Sequence, residues 1–137
     1  MSRVHGDFHP FNIIFEEADR FWVLDRSRGD WGEPADDVSC LAINYLFFSL
    51  QRCGRLDRPF ADLHATFWDS YRVAASDEGL LGAIQPWFAW RALVLASPVW
   101  YPDLDTETRG KLLRFARRVM TLKRYDPSKV NRYLETG

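Results

Sequence analysis

The chain has 137 residues, 47% of them hydrophobic and 15% aromatic, with 18 basic residues against 19 acidic ones. That length suits one domain with a sizeable core, and the apolar content excludes a disordered chain. A formal net charge of −1 without long runs of one sign argues against a general nucleic-acid or anionic-membrane surface.

The N-terminal stretch carries the chemistry. His5-Gly6-Asp7-Phe8-His9-Pro10-Phe11-Asn12 leads into Ile13-Ile14-Phe15, and Phe21-Trp22-Val23-Leu24-Asp25 follows a polar stretch over 16–20. The apolar runs predict a β-hairpin with arms at 13–15 and 21–24 and a turn between them. Antiparallel pairing would set Asn12, at the entry, beside Asp25, at the exit. With Asp7 five residues before Asn12, the pattern D-x-x-x-x-N plus a strand-end aspartate suits metal-assisted phosphoryl transfer. One carboxylate orients a hydroxyl, while an amide and a second carboxylate hold Mg²⁺ on the phosphates.

Beyond the hairpin, Gly29, Gly32 and Pro34 predict a loop over 26–34. Asp36 and Asp37 then open a helix, where acidic side chains satisfy free N–H groups and suit the positive end of the dipole. Val38, Leu41, Ala42, Tyr45, Leu46 and Leu50 follow at helical spacing. Gly54 ends that helix and Pro59 opens a second, with Phe60, Leu63, Phe67, Tyr71 and Ala74 as its inward stripe. A third, capped by Ser76 or Asp77, is expected to reach about residue 98, with Pro86 either kinking or dividing it. Its near-continuous apolarity makes it the expected central helix. A fourth spans about 106–122, with Leu112, Leu113, Ala116, Val119 and Met120 inward. Arg114, Arg117, Arg118, Lys123 and Arg124 form its solvated basic face, and Pro127 opens a short last helix. The expectation is one domain over 1–137, mainly α with a small β-hairpin: residues 1–35 form the catalytic loop, hairpin and metal-binding loop, and 36–137 a helical bundle.

Several other residues have competing readings. His5 is expected to orient the catalytic turn by hydrogen bonding. The pattern H-x-D-x-H over 5–9 would suit zinc, but only three histidines occur and no cysteine lies near, so zinc is disfavoured. Arg91, alone in apolar text, is expected to snorkel or to pair with a buried carboxylate. Trp31, Trp87, Trp90 and Trp100 are expected in the core rather than stacked on a substrate. Asp30 and Glu33 are less favoured candidates for substrate contact. Cys40 and Cys53, with no C-x-x-C and no secretory signal, read as two buried free thiols of a reducing cytoplasm. The apolar stretch 80–101 is interrupted by Gln85, Pro86, Arg91 and Pro98 and reads as a buried helix, not a membrane span.

The run HGDFHPFN followed by VLDRSRGDWGEPADDVS resembles the catalytic core of the aminoglycoside phosphotransferase family, whose relatives include choline kinases and other small-molecule kinases of protein-kinase-like fold. The resemblance implies that Asp7 is the catalytic base, that His9 lines the cofactor site, and that Asn12 and Asp25 are metal ligands. It implies that one of Asp36 and Asp37 anchors the catalytic loop, capping accounting for the other. The implied cofactors are Mg²⁺ and ATP or another nucleoside triphosphate, and the implied acceptor is a hydroxyl of a small molecule. Where the family often has an aromatic and then an acidic residue after the metal aspartate, this chain has Arg26-Ser27. It would hold the C-terminal, helical lobe of that fold, with the N-terminal nucleotide-binding lobe absent. No G-x-G-x-x-G or Walker-type motif occurs, and lysine stands only at 111, 123 and 129. Two classes of function follow. The chain is either the catalytic lobe of a phosphotransferase, completed by the missing lobe in cis or in trans, or an inactive stand-alone lobe that binds partners or oligomerises through the surface turned toward that lobe. Neither class calls for nucleic acid or membrane, and a cytoplasmic location is expected.

Overall fold

The computed structural model describes residues 2–17, 20–26, 29–77 and 79–135. Glu33 accepts the Ala35 N–H, Pro34 fixes the first-turn dihedral, and Gly54, left-handed at φ 74°, donates back to Leu50 O. These signals bound α1, Pro34–Cys53. Helix α2 (Phe60–Ala75) follows, then α3 (Leu80–Ala83) and α4 (Gln85–Leu95). Pro86 therefore marks a break, standing in the first turn of α4 where its missing N–H costs nothing. Asp77, one of the two expected caps, accepts the N–H groups of Gly79 and Leu80. Helix α5 (Thr106–Val119) starts at the cap Asp105 and stops three residues short of the expected end; a 3₁₀ segment, Pro127–Leu134, closes the chain.

The helices pack in the order α2, α1, α4, α5, and the terminal 3₁₀ segment lies against α5 and α2. The inner position expected of the third helix is thus shared by α1 and α4. One hydrophobic core joins them, and its centre is aromatic. Phe88 lies 4.5 Å from Tyr125 and 5.7 Å from Phe115, edge-on to the latter, and Trp68 lies 5.9 Å from Tyr125. Two inward stripes differ from their expectation. On α2 His64 and Trp68 are buried while Leu63 and Ala74 are exposed; on α5 Phe115 is buried while Leu113 and Met120 are exposed. In both cases the large ring that fills the aromatic centre sets the helix rotation, which apolar spacing alone leaves free by about one residue.

The hairpin forms from β2 (Ile13–Glu17) and β3 (Arg20–Val23), with Ile13 opposite Val23, Ile14 opposite Trp22 and Phe15 opposite Phe21. The expected turn positions 18 and 19, and positions 27 and 28 of the expected loop, lie outside the described residues. An unforeseen second ladder pairs β1 (Ser2–Arg3) with β4 (Trp31–Gly32) and ties the chain start to the loop before α1. Gly32 is required there, because a Cβ would stand 2.8 Å from Val4 Cγ2. Among the described residues no helix is long and apolar enough to cross a membrane.

His64 is buried and accepts the Trp68 indole N–H at 3.0 Å through Nε2; burial lowers its pKa to about 4. The unfolded chain protonates this ring near pH 6.5 and the folded chain only near 4, so stability is full above the unfolded value and falls as pH drops between them. We expect a loss of roughly 3 kcal/mol over that window, read as a falling urea midpoint. His64→Gln, which keeps an acceptor for the indole, should flatten the dependence.

Candidate functional site

The N-terminal loop reaches its shape through a closed ring of four hydrogen bonds. The Asp7 N–H donates to His5 Nδ1 at 3.3 Å, so the His5 proton sits on Nε2, which donates to Leu24 O at 2.7 Å. The Leu24 N–H donates to Asn12 O at 2.8 Å, and Asn12 Nδ2 donates to Asp7 O at 3.0 Å, completing the circuit. The 3₁₀ turn Pro10–Asn12 aims Asn12 into this ring. His5 therefore orients the turn, as expected, and the ring holds the backbones of Asp7, Asn12 and Leu24 together. Asp25 follows directly in a left-handed conformation, φ 58°. Aspartate tolerates that region better than most residues, yet it costs about 1–3 kcal/mol, the kind of strain kept where a side chain must point one way.

Two side chains from the helical part hold the ring in place. Asp37, in the first turn of α1, accepts the His5 N–H at 2.6 Å and the Gly6 N–H at 2.8 Å, one on each carboxylate oxygen. Gly6 is buried with φ 87°, a conformation that admits this double contact and disfavours any side chain. From α4, Arg91 reaches the same loop with only 8% of its side chain exposed. Its Nη1 donates to Asp7 Oδ1 at 3.1 Å, its Nη2 to Gly6 O at 3.3 Å, and Nε and Nη2 both donate to Asp36 Oδ1, at 3.0 and 2.6 Å. Burial opposes the guanidinium charge, but neighbouring Cys40, Asp36 and Asp7 outweigh it and raise the Arg91 pKa.

These contacts divide the acidic pair differently from the expectation. Asp37 anchors the loop, but Asp36 is an ion-pair partner, the cap of α1 being Glu33. Of the two readings of Arg91, pairing with a carboxylate is the one observed, its partners Asp36 and Asp7 being part-buried, and its link to Asp7 was missed. The signal was present: one cation in an apolar helix, and a cluster of carboxylates upstream without one. Arg26, where the chain departs from the family pattern, donates to Val4 O and pairs with Asp30, so it braces the ladder of β1 and β4.

His9 Nε2 stands 3.7 Å from Asp7 Oδ2, and its buried Nδ1 has no hydrogen-bond partner among the described residues. Both His5 nitrogens are committed to the ring, so the two imidazoles of H-x-D-x-H serve different contacts. Among the described residues, no three His, Cys, Asp or Glu side chains converge as a metal-holding group. The expected Mg²⁺ set is smaller and differently composed. Asn12 uses its Nδ2 within the ring, which leaves amide Oδ1 as its acceptor, and Asp25 supplies a carboxylate. Both are the hard oxygen donors Mg²⁺ favours.

Beside Asp7 opens a cavity of about 580 Å³ between the loop, α1, α4 and the turn after α4. Asp7, His9 and Phe11 form one side, Cys40 and Asn44 of α1 the floor, and Trp90, Arg91, Trp100 and Tyr101 the opposite wall. The turn bearing Trp100 and Tyr101 is held by Arg109 of α5, which donates to Ala96 O and, at 3.0 Å each, to Tyr101 O and Leu104 O. Nothing in the apolar pattern announced that role. Asp30 and Glu33 do not line this cavity. Of the four tryptophans expected in the core, Trp31, Trp90 and Trp100 are exposed and Trp87 is half-buried. The cysteines also divide: Cys40 is buried and Cys53 exposed, both free. Burial pushes the Cys40 thiol up to about 12, so it is a neutral wall of the cavity and not a nucleophile.

Removing Arg91 leaves two part-buried carboxylates without the cation they share. Arg91→Met should cost about 3–5 kcal/mol in urea unfolding. Its effect should be non-additive with Asp36→Asn by more than about 1 kcal/mol. Asp37→Ala should act locally: hydrogen exchange at the His5 and Gly6 amides should accelerate by at least about tenfold while α5 amides stay protected.

Comparison with protein-family models, with curated proteins and with solved structures finds no match to this chain. The functional reading therefore rests on its own residues.

Proposed function

We propose that this chain is the catalytic lobe of an ATP-dependent phosphotransferase that phosphorylates a hydroxyl of a small molecule, in the manner of aminoglycoside phosphotransferases and choline kinases. The observation that carries the reading is the closed ring through His5, Asp7, Asn12 and Leu24, which holds the two residues of the D-x-x-x-x-N motif to the end of the hairpin, one residue before Asp25. In this reading Asp7 is the catalytic base. Arg91 fixes one of its oxygens, and the carboxylate accepts or orients the proton of the substrate hydroxyl as charge spreads over the transferred phosphoryl group. Asn12 and Asp25 hold Mg²⁺, which when bound neutralises charge on the phosphates. His9, beside Asp7, lines the nucleotide side. Asp37 and His5 carry no chemistry themselves; they hold the loop so that the reacting atoms meet without reorganisation.

A glycine-rich turn and a phosphate-reaching lysine are still required, and a nucleotide-binding lobe in cis or in trans would supply them. The hairpin offers two exposed apolar faces for it, one with Phe15 (72% exposed) and Phe21, the other with Trp22 (63% exposed) and Ile14. The same surface favours the second reading, an inactive lobe that binds a partner or another copy of itself. The reaction assigns the chain to the cytoplasm, where nucleoside triphosphates and free thiols occur together.

Thermal unfolding with Mg²⁺ and ATP tests the proposal. The wild type should gain about 4 °C at tenfold excess over the dissociation constant, and only when Mg²⁺ is present. Asp25→Asn should lose that gain, and Asp7→Asn should keep it while losing the phosphoryl transfer that the wild type performs once the nucleotide-binding lobe is supplied. A wild type that forms dimers in sedimentation and shows no metal-dependent gain would establish the second reading instead.

A further inference from the structure

The cavity beside Asp7 has a composition that the phosphotransfer reading does not use. At about 580 Å³ it falls in the range that encloses one drug-sized molecule. Among the described residues lining it, Asp7 is the sole carboxylate, and Arg91 already holds that carboxylate at 3.1 Å. A polycation would find one partly neutralised acid and a buried guanidinium beside it, which is poor complementarity. A sugar would bring several hydroxyls and need a polar partner for each, whereas this lining offers few: His9 Nδ1 and Asn44 Oδ1 remain, Asn44 has committed its Nδ2 to Cys40 O at 2.7 Å, and most of the other lining residues are apolar or aromatic.

The apolar side of the cavity is unusually open. Trp90 is 54% and Trp100 70% exposed, although most aromatic side chains of this protein stack on one another in the core. Among the described residues neither indole has an aromatic ring partner within stacking distance, whereas Tyr101 beside them is fixed edge-on against Phe47 at 5.1 Å. Arg109 holds the backbone beneath Trp100, so that side of the cavity is presented on a braced turn. Two large rings left unstacked at the mouth of a cavity are sites for a planar apolar body.

We propose that this cavity takes an uncharged alcohol with a planar, aromatic body, stacked on Trp90 and Trp100 with its hydroxyl turned toward Asp7. The direction of the hydroxyl rests on the phosphotransfer reading; the stacking does not. The ligand class follows from the wall, where ring area is abundant and charge is scarce.

The test is equilibrium binding of 2-(2-naphthyl)ethanol to the isolated chain, read by ligand-observed NMR without Mg²⁺ or ATP, with kanamycin and choline as competitors. Binding at about millimolar affinity or tighter is expected. Trp90→Ala and Trp100→Ala should each weaken it about tenfold, Trp100→Phe should restore most of the loss, and neither competitor should displace the probe. Both indoles are exposed, so these variants should keep the wild-type unfolding midpoint. Failure of the probe to bind, binding indifferent to both tryptophans, or displacement by kanamycin or choline would each overturn the proposal. Those outcomes leave the metal-dependent thermal gain untouched. Conversely, loss of that gain with naphthylethanol still bound would sink the phosphotransfer reading and leave the aromatic site standing.

Discussion

The contact on which the rest of the site depends is the grip of two helices on one short loop. Asp37 takes the amides of His5 and Gly6, and Arg91 takes the Asp7 carboxylate and the Gly6 carbonyl. The described apolar side chains of the hairpin, Ile14, Phe15, Phe21 and Trp22 among them, stay exposed. The loop is therefore positioned by charge-assisted hydrogen bonds in addition to the burial of Val4 and the contact of Phe11 with Phe48. Such bonds are directional and short, and they fix atoms where apolar contact alone would fix only areas. The ring through His5, Leu24, Asn12 and Asp7 then carries that position outward to the hairpin.

This arrangement has local costs. Asp25 and Gly6 hold left-handed backbone, Arg91 is buried with its charge, and His9 Nδ1 is buried without a partner among the described residues. A domain of this size has only about 5–15 kcal/mol of net stability from which to offset them. The offset comes from the aromatic centre of the bundle, where Trp68, Phe88, Phe115, Tyr125 and Tyr133 lock four elements together. Core and site are joined chiefly through α1 and α4: one face of each helix feeds the core, and their loop-facing residues, Asp36, Asp37 and Arg91, hold the site loop. Strain at one end and packing at the other are two faces of the same pair of helices.

Apolar side chains are thus divided between two uses. Most of those of the bundle are consumed by the core, although Leu63, Val73, Leu113 and Met120 stay outside it. Those of the hairpin remain at the surface beside the metal-ligand candidates, and Trp90 and Trp100 remain exposed beside the cavity. Surface of that kind is costly to leave in water and is usually kept for something that covers it.

The sequence by itself determined the hairpin and the helix end at Gly54, and it narrowed the later breaks to Ser76 or Asp77 and to Pro86. Each of these is a local matter, decided by caps, breakers and period within a few residues. Through the family resemblance it also implied that one of Asp36 and Asp37 would anchor the N-terminal loop. Which of Asp36 and Asp37 does so, the partnership of Arg91 with Asp7 across 84 positions, the clamp made by Arg109 and the exposure of Trp90 and Trp100 were decided only by the tertiary structure. The reason is rotational. Apolar spacing states that a helix has an inner face, but a rotation of one residue exchanges a buried ring for an exposed one, and only the shapes that meet in the core fix that angle.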